Sequence, residues 1–199
     1  MGRDKALLEF RGRPLVLHSL EKLRSLGFTP RIVIGYEAAR PDLAAFAPVV
    51  ADNYRSLGPL GGIEAALSAS DADLNLFLPV DLPLLPIEFL RWMIDRAQLT
   101  QALATIPRAQ GRPQPLCAIY STALLTTVQT ALSTGDGKVM RVVARASNET
   151  GLRIDSFDVE TVAAAGAFSL GAPVRLWFQN LNTPQDFEQA ALEQTPSFE

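Results

Sequence analysis

The sequence predicts a doubly wound α/β fold with a mostly parallel sheet, and three features carry that prediction. Leu74, Leu76, Phe77, Leu78 and Val80 form a short, nearly continuous apolar run, the pattern of a central strand buried on both faces. β-Branched runs alternate with helical patterns along most of the chain, the rhythm of strand and crossover helix joined right-handedly. Aspartates stand where two of these strands end, Asp52 and Asp81, and ligands of open α/β sheets bind outside the carboxyl ends of strands.

Pro14 opens the first helix, with Val16, Leu20, Leu23 and Leu26 at helical spacing and Gly27 as its stop. His18 is a surface or boundary residue of that helix. Arg31-Ile32-Val33-Ile34-Gly35 is the next strand, followed by a weaker helix from Pro41 to Ala47 and a strand from Pro48 to Ala51. A loop from Asn53 to Gly62 leads into a helix starting at Ile63. The strand from Leu74 to Val80 follows, and Pro79, which cannot donate to a ladder, marks where its pairing ends. The next helix runs from about Pro86 to Gln98 and turns Phe89, Leu90, Met93 and Ile94 inward.

Ala102 to Ile106 reads as a strand, Arg108 to Pro115 as a polar loop, and Leu116 to Tyr120 as the returning partner strand, with Cys117 simply packed. A helix after Thr122 ends at Gly135-Asp136-Gly137, and a second carries Val139, Met140, Val142 and Val143. Leu152-Arg153-Ile154 and Arg175-Leu176-Trp177-Phe178 are strand candidates. Thr183 caps a last helix through Phe187 and Leu192, with Pro184 at its first position and Asp186 at the capping-box position. No repeat, low-complexity tract or linker interrupts the chain, so residues 1–199 read as a single domain.

Composition narrows the function. With 199 residues, of which 48% are hydrophobic, the chain has material for a substantial core. A net charge of −3 argues against a nucleic-acid or membrane-surface protein, which needs a basic face. One His and one Cys make a His/Cys metal site implausible, so any metal would be held by oxygens. No apolar run reaches the length of a membrane span and the N-terminus lacks a signal-peptide layout, so cytoplasmic residence is expected.

Three local signals bear on chemistry, each with a plain alternative. Asp81, at the end of its strand and followed by Pro83 and Pro86, is either a ligand-site acid or an ordinary turn aspartate. Gly58-Pro59-Leu60-Gly61-Gly62 before a helix either lets backbone N–H groups approach an anion or supplies positive φ angles to a loop. Lys5 is either a point charge for phosphate oxygens or a solvated cation.

The order of these motifs adds to their weight. Asp4-Lys5-Ala6-Leu7-Leu8 with Gly12-x-Pro14-Leu15, then Gly58-Pro59-Leu60-Gly61-Gly62, then Asp81-x-Pro83-x-x-Pro86, then Asn180-x-Asn182-Thr183-Pro184, resembles the molybdenum cofactor guanylyltransferase family over nearly the whole chain. The resemblance implies a Rossmann-like nucleotidyltransferase that joins GMP from GTP to the phosphate of molybdopterin and releases pyrophosphate, with Mg²⁺ as cofactor. It implies Lys5 as the phosphate-contacting lysine and Asp81 as the acid that holds Mg²⁺. Asp52 corresponds to an acidic residue of the nucleotide pocket, Gly58, Pro59, Leu60, Gly61 and Gly62 to the segment near the nucleoside, and Asn180 and Asn182 to the pterin side. Molybdoenzymes or cofactor-biosynthesis proteins are the implied partners.

Within the same chemistry the rivals are a cytidylyltransferase and a sugar-phosphate nucleotidyltransferase. Asp81-Leu82-Pro83 favours the guanylyl branch over the cytidylyl one, in which Asp-Gln-Pro is common. A rival of another class is a non-catalytic molybdopterin- or partner-binding protein without its nucleotide loop. The family's opening Leu-Ala-Gly-Gly-x-Ser-x-Arg stretch is not in this sequence, and Met1-Gly2-Arg3-Asp4-Lys5 resembles only the end of that motif. The domain is therefore expected to be N-terminally incomplete, with the first strand missing, and a gap is expected between Ile32–Ile34 and Leu76–Val80 unless those strands close on each other.

Overall fold

The computed structural model describes residues 4–35, 40–54, 56–168, 173–179 and 186. Asp4 opens it by accepting a hydrogen bond from the Ala6 N–H (2.9 Å), which caps a single 3₁₀ turn over Lys5–Leu7. Strands β1 (Glu9–Phe10) and β2 (Arg13–Pro14) form a hairpin whose turn residues Arg11 and Gly12 both have positive φ, the conformation that matches strand twist in a two-residue loop. Helix α1 (Leu15–Ser25) follows directly, starting just after Pro14 and burying Leu15, Val16, Ser19 and Leu20. His18 Nε2 lies 2.8 Å from the Phe10 carbonyl oxygen; that oxygen can only accept, so Nε2 carries the proton and ties α1 to the hairpin.

Strands β3 (Ile32–Ile34) and β4 (Val49–Ala51) pair in parallel around the short α2 (Pro41–Ala44). Helix α3 (Pro59–Ser68) then crosses to β5 (Leu74–Phe77), and α4 (Ile87–Thr100) to β6 (Ala104–Ala109). The polar loop predicted after β6 is a second small hairpin with β7 (Arg112–Pro113). Strand β8 (Ala118–Ser121), helices α5 (Leu125–Ser133) and α6 (Val139–Thr150), strand β9 (Ile154–Asp158), helix α7 (Val159–Ala164) and the turn-length α8 (Val174–Trp177) complete the described chain.

The larger sheet is mixed and five-stranded, ordered β5-β8-β6-β7, with β9 parallel to β6. As predicted, β8 returns antiparallel to β6, and it also pairs antiparallel with β5. Helices cover both faces, and the alternation along β8 shows it. Ala118 and Tyr120 pack with Leu60, Ile63, Val128 and Val142 of α3, α5 and α6, whereas Cys117 and Ile119 pack with Phe89, Met93, Phe157 and Trp177 on the α4 side. The predicted α/β architecture, with helices on both faces of a central sheet, is the observed one.

Several elements differ from the sequence expectations. Helix α3 starts at Pro59, not Ile63, because a proline fits the first helical position and Gly58 (φ +66°) supplies the entry bend; Gly61 and Gly62 therefore lie inside the helix. Strand β5 stops at Phe77 and is half-buried at the edge of its sheet, not central, since β8 is its one strand partner among the described residues. The strand expected from Leu152 lies further on, at Ile154–Asp158. Arg175–Trp177 is helical where a strand over Arg175–Phe178 was expected: Pro173 starts a turn that tucks Trp177 against Phe89 and Phe168. Nearly all of the helix predicted from Thr183 falls outside the described residues.

Candidate functional site

Between β3 and β5 lies a cavity of about 700 Å³. Val16, Ser19, Leu20 and Leu23 of α1 wall it on one side, and Gly62, Ile63 and Ala66 of α3 on the other. At the carboxyl ends of the strands its lining becomes polar, with Gly35, Asp52, Gly58, Pro59 and Asp81. This is the end at which open α/β sheets bind ligands.

Lys5 Nζ stands 3.7 Å from an Asp81 carboxylate oxygen, with the lysine side chain 54% exposed and the aspartate 19%. The pair is long and one partner is more than half exposed to solvent, so an incoming anion can take the lysine without breaking a tight ion pair. Arg40 holds this corner in place by pairing with both Asp42 (2.7 Å) and Asp4, the residue next to Lys5. Those hydrogen-bonded carboxylates push the Arg40 pKa up, and the guanidinium in turn lowers that of Asp42.

Helix α1 fixes the other side of Asp81. Ser19 Oγ donates to the Pro79 carbonyl at 3.3 Å, and Lys22 Nζ donates to the carbonyls of Leu82 (3.4 Å) and Pro83. Burial pushes the Lys22 ammonium down to about 8. The neighbouring Cys117 thiol is pushed by burial up to about 12, which removes it as a nucleophile at neutral pH.

Asp52 is buried at the end of β4, where its N–H donates to the Ile34 carbonyl and its Oδ1 accepts from the Tyr54 N–H at 2.7 Å. The carboxylate lies directly on Gly61, in the first turn of α3, where a Cβ would overlap both of its oxygens. A carboxylate at a helix N-terminus is favoured by the helix dipole. It also makes that spot unfavourable for a phosphate, so what Asp52 offers a ligand is an acceptor for N–H or O–H donors.

The structure thus brings Lys5, Asp52, Gly58, Pro59, Gly62 and Asp81 to one end of one cavity. Leu60 does not share it with its side chain, which is fully buried in the core, and Gly61 sits beneath Asp52. Asn180 and Asn182 lie outside the described residues. Among the described residues no group of three or more His, Cys, Asp or Glu could hold a metal, so a metal here would draw its remaining ligands from substrate and water. That donor set, one carboxylate plus phosphate oxygens and waters, suits Mg²⁺.

Two supporting residues escaped the sequence reading. Lys22 continues the line of the buried Leu15 and Ser19 at helical spacing, and a cation on such a stripe is a readable signal. Gly137 packs so closely on the Leu57 carbonyl, next to Gly58, that a Cβ would overlap it, and no local pattern announces such a contact.

Residues 1–150 match the MobA-like NTP transferase domain. A molybdenum cofactor guanylyltransferase of Syntrophotalea carbinolica is 30% identical over 191 residues, covering 95% of this chain and 83% of that protein. One from Pseudomonas fluorescens is 34% identical over 145 residues, covering 70% and 72%. Among solved structures, molybdopterin-guanine dinucleotide biosynthesis protein A from Archaeoglobus fulgidus superposes with a TM-score of 0.75 at 24% identity, covering 95% of this chain and 89% of that one. The 2-C-methyl-D-erythritol 4-phosphate cytidylyltransferase of Thermus thermophilus has a TM-score of 0.61 at 18% identity, covering 96% and 94%, a likeness of fold.

Proposed function

This chain belongs to the MobA-like NTP transferase family and is a nucleotidyltransferase, and from that premise we propose that it transfers GMP from GTP to the phosphate of molybdopterin. The observation that carries the reading is the meeting of Lys5 and Asp81 at the carboxyl end of β5, with Asp52 across the same cavity. A molybdopterin phosphate oxygen attacks the α-phosphorus of GTP, a P–O–P bond forms, the bond to the β-phosphate oxygen breaks, and pyrophosphate leaves.

Such a displacement needs in-line positioning and neutralisation of charge, not a protein nucleophile. The Lys5 ammonium swings from Asp81 to the phosphates as a point charge. Asp81, released from the lysine, would hold Mg²⁺, which when bound would supply neutralisation of the negative charge that develops during the displacement. Asp52 accepts from donors of the nucleoside, and the bend at Gly58 with Pro59, Leu60, Gly61 and Gly62 presents the start of α3 beside it. Asn180 and Asn182 serve the pterin side, and molybdoenzymes or other cofactor-biosynthesis proteins receive the product.

We place the protein in the cytoplasm; no helix among the described residues is long and apolar enough to cross a membrane. The test is Mg²⁺-dependent pyrophosphate release in the presence of molybdopterin, with GTP or with CTP. Release driven by GTP supports the proposal. Release driven by CTP assigns the chain to the cytidylyl branch, and molybdopterin binding with no nucleotide affinity makes it a binding protein.

A further inference from the structure

Asp81 stands on a turn that no strand ladder holds. The β5–β8 pairing ends where Phe77 meets Ala118, and Pro79 and Pro83 have no N–H to contribute. Among the described residues, the one main-chain hydrogen bond made within residues 78–85 runs from the Leu85 N–H to the Leu82 carbonyl at 3.3 Å. Apolar packing anchors the residues after Asp81: Leu82 and Leu85 sit with Phe89, Met93 and Trp177, and Leu84 with Phe10, Leu15 and Leu176. Such packing has no direction of its own, so the orientation of the peptide groups falls to hydrogen bonds.

Those hydrogen bonds come from one face of α1. Ser19 and Lys22 lie three positions apart, which puts their side chains on the same side of the helix. Ser19 Oγ donates to the Pro79 carbonyl at 3.3 Å, and Lys22 Nζ donates to the carbonyls of Leu82 (3.4 Å) and Pro83. The three carbonyls bracket Asp81 on both sides. The helix itself is firmly seated, with Leu15, Val16 and Leu20 buried and His18 bonded to the Phe10 carbonyl.

Stability alone does not call for a lysine here. Burial works against its charge, and it forms no ion pair among the described residues. An apolar side chain of similar length would avoid that penalty. What the ammonium adds is three donors on a long stem, enough to serve two carbonyls at once. We propose that Lys22 is a positioning residue for the reaction, orienting the Leu82 and Pro83 peptides so that the Asp81 carboxylate is held ready for Mg²⁺. It acts through Asp81 and touches neither substrate nor metal. The inference rests on the reading of Asp81 as the acid that holds Mg²⁺.

Two readouts on the 199-residue chain test it. Without any ligand, Lys22→Met should speed hydrogen exchange at the amides of Leu82 and Leu85 by about tenfold or more, and leave Leu90 and Met93 of α4 unchanged. With GTP and molybdopterin, the same variant should raise the Mg²⁺ concentration for half-maximal pyrophosphate release by about tenfold or more. Lys22→Gln keeps an uncharged N–H donor and should raise it less. In the Asp81→Asn background, Lys22→Met should change the residual turnover by less than about twofold, because its effect runs through the carboxylate.

Faster exchange throughout α4 marks a general loss of packing and overturns the proposal. So does an unchanged Mg²⁺ response, or an undiminished effect of Lys22→Met in the Asp81→Asn background. If Lys22→Met does not fold, Lys22→Gln carries the same comparison, and wild-type exchange with a wild-type Mg²⁺ response in that variant overturns the proposal. Wild-type turnover in Asp81→Asn alone would instead remove Asp81 from the metal site, and exchange at Leu82 and Leu85 would still decide whether Lys22 holds the turn.

Discussion

Asp52 rests on Gly61: a Cβ on the glycine would overlap both oxygens of the carboxylate. The residue pair couples the end of β4 to the first turn of α3 and fixes where an acceptor stands in the cavity. Gly61→Ala should therefore lower stability by about 1–3 kcal/mol, the cost of overpacking, and displace Asp52. Combining it with Asp52→Ala should recover most of the loss in a thermal-unfolding cycle. Additive losses would show that the glycine serves something else. At Gly62 the nearest atom to a Cβ is Val33 Cγ1 at 3.3 Å, so Gly62→Ala should cost much less.

Lys22 gives the protein a pH signature. Its folded pKa is lowered by burial to about 8, against an ordinary value of 10.5. Between those values the unfolded chain holds a proton that the folded one does not, so this residue's contribution to stability rises with pH across that window, by about 3 kcal/mol in all. Below pH 8 the charged lysine is carried at full cost. The difference in stability between wild type and Lys22→Met, followed by denaturant unfolding from pH 7 to 10.5, should shift in favour of wild type as pH rises. A flat difference would contradict the burial of this amine. The same substitution removes the lysine donor from the Leu82 and Pro83 carbonyls, leaving the former with the Leu85 N–H alone, and should loosen the turn that carries Asp81.

Gly137 acts at a distance from the cavity. Because a Cβ there would meet the Leu57 carbonyl, Gly137→Ala should push the Leu57–Gly58 bend and weaken nucleotide binding several-fold, with a stability loss of about 1–3 kcal/mol. Isothermal titration with GTP alongside thermal melts separates the two effects. Unchanged affinity would free the bend from any role in binding.

The alternation of strands and helices was legible because each buried strand is a short apolar run punctuated by Gly or Pro. The acid at the end of β5 was legible for the same reason, and the order of motifs tied Lys5 to it. Arg175–Phe178 misled because an Arg-Leu-Trp-Phe run favours a strand, while the aromatic cluster of Phe89, Phe168 and Trp177 that decides its shape is assembled from distant parts of the chain. Lys22 and its carbonyl partners are some 60 positions apart, and Gly137 and Leu57 are further apart still, so no local window contains these contacts. The motif order left two outcomes open, a gap beside β5 or closure of β3 on β5, and among the described residues the two strands stand apart with the cavity between them.

Asp81 offers the most direct test of the central claim, that nucleotidyl transfer runs on a carboxylate and a lysine at the carboxyl end of β5. The measurement is Mg²⁺-dependent pyrophosphate release from GTP with molybdopterin, for wild type and for Asp81→Asn. The side chain is partly exposed and its partner Lys5 mostly so, so the substitution should leave Tm within a few degrees of wild type. Turnover should fall by about 100-fold or more and cease to respond to Mg²⁺. A variant with the wild-type rate and the wild-type Mg²⁺ dependence would contradict the account.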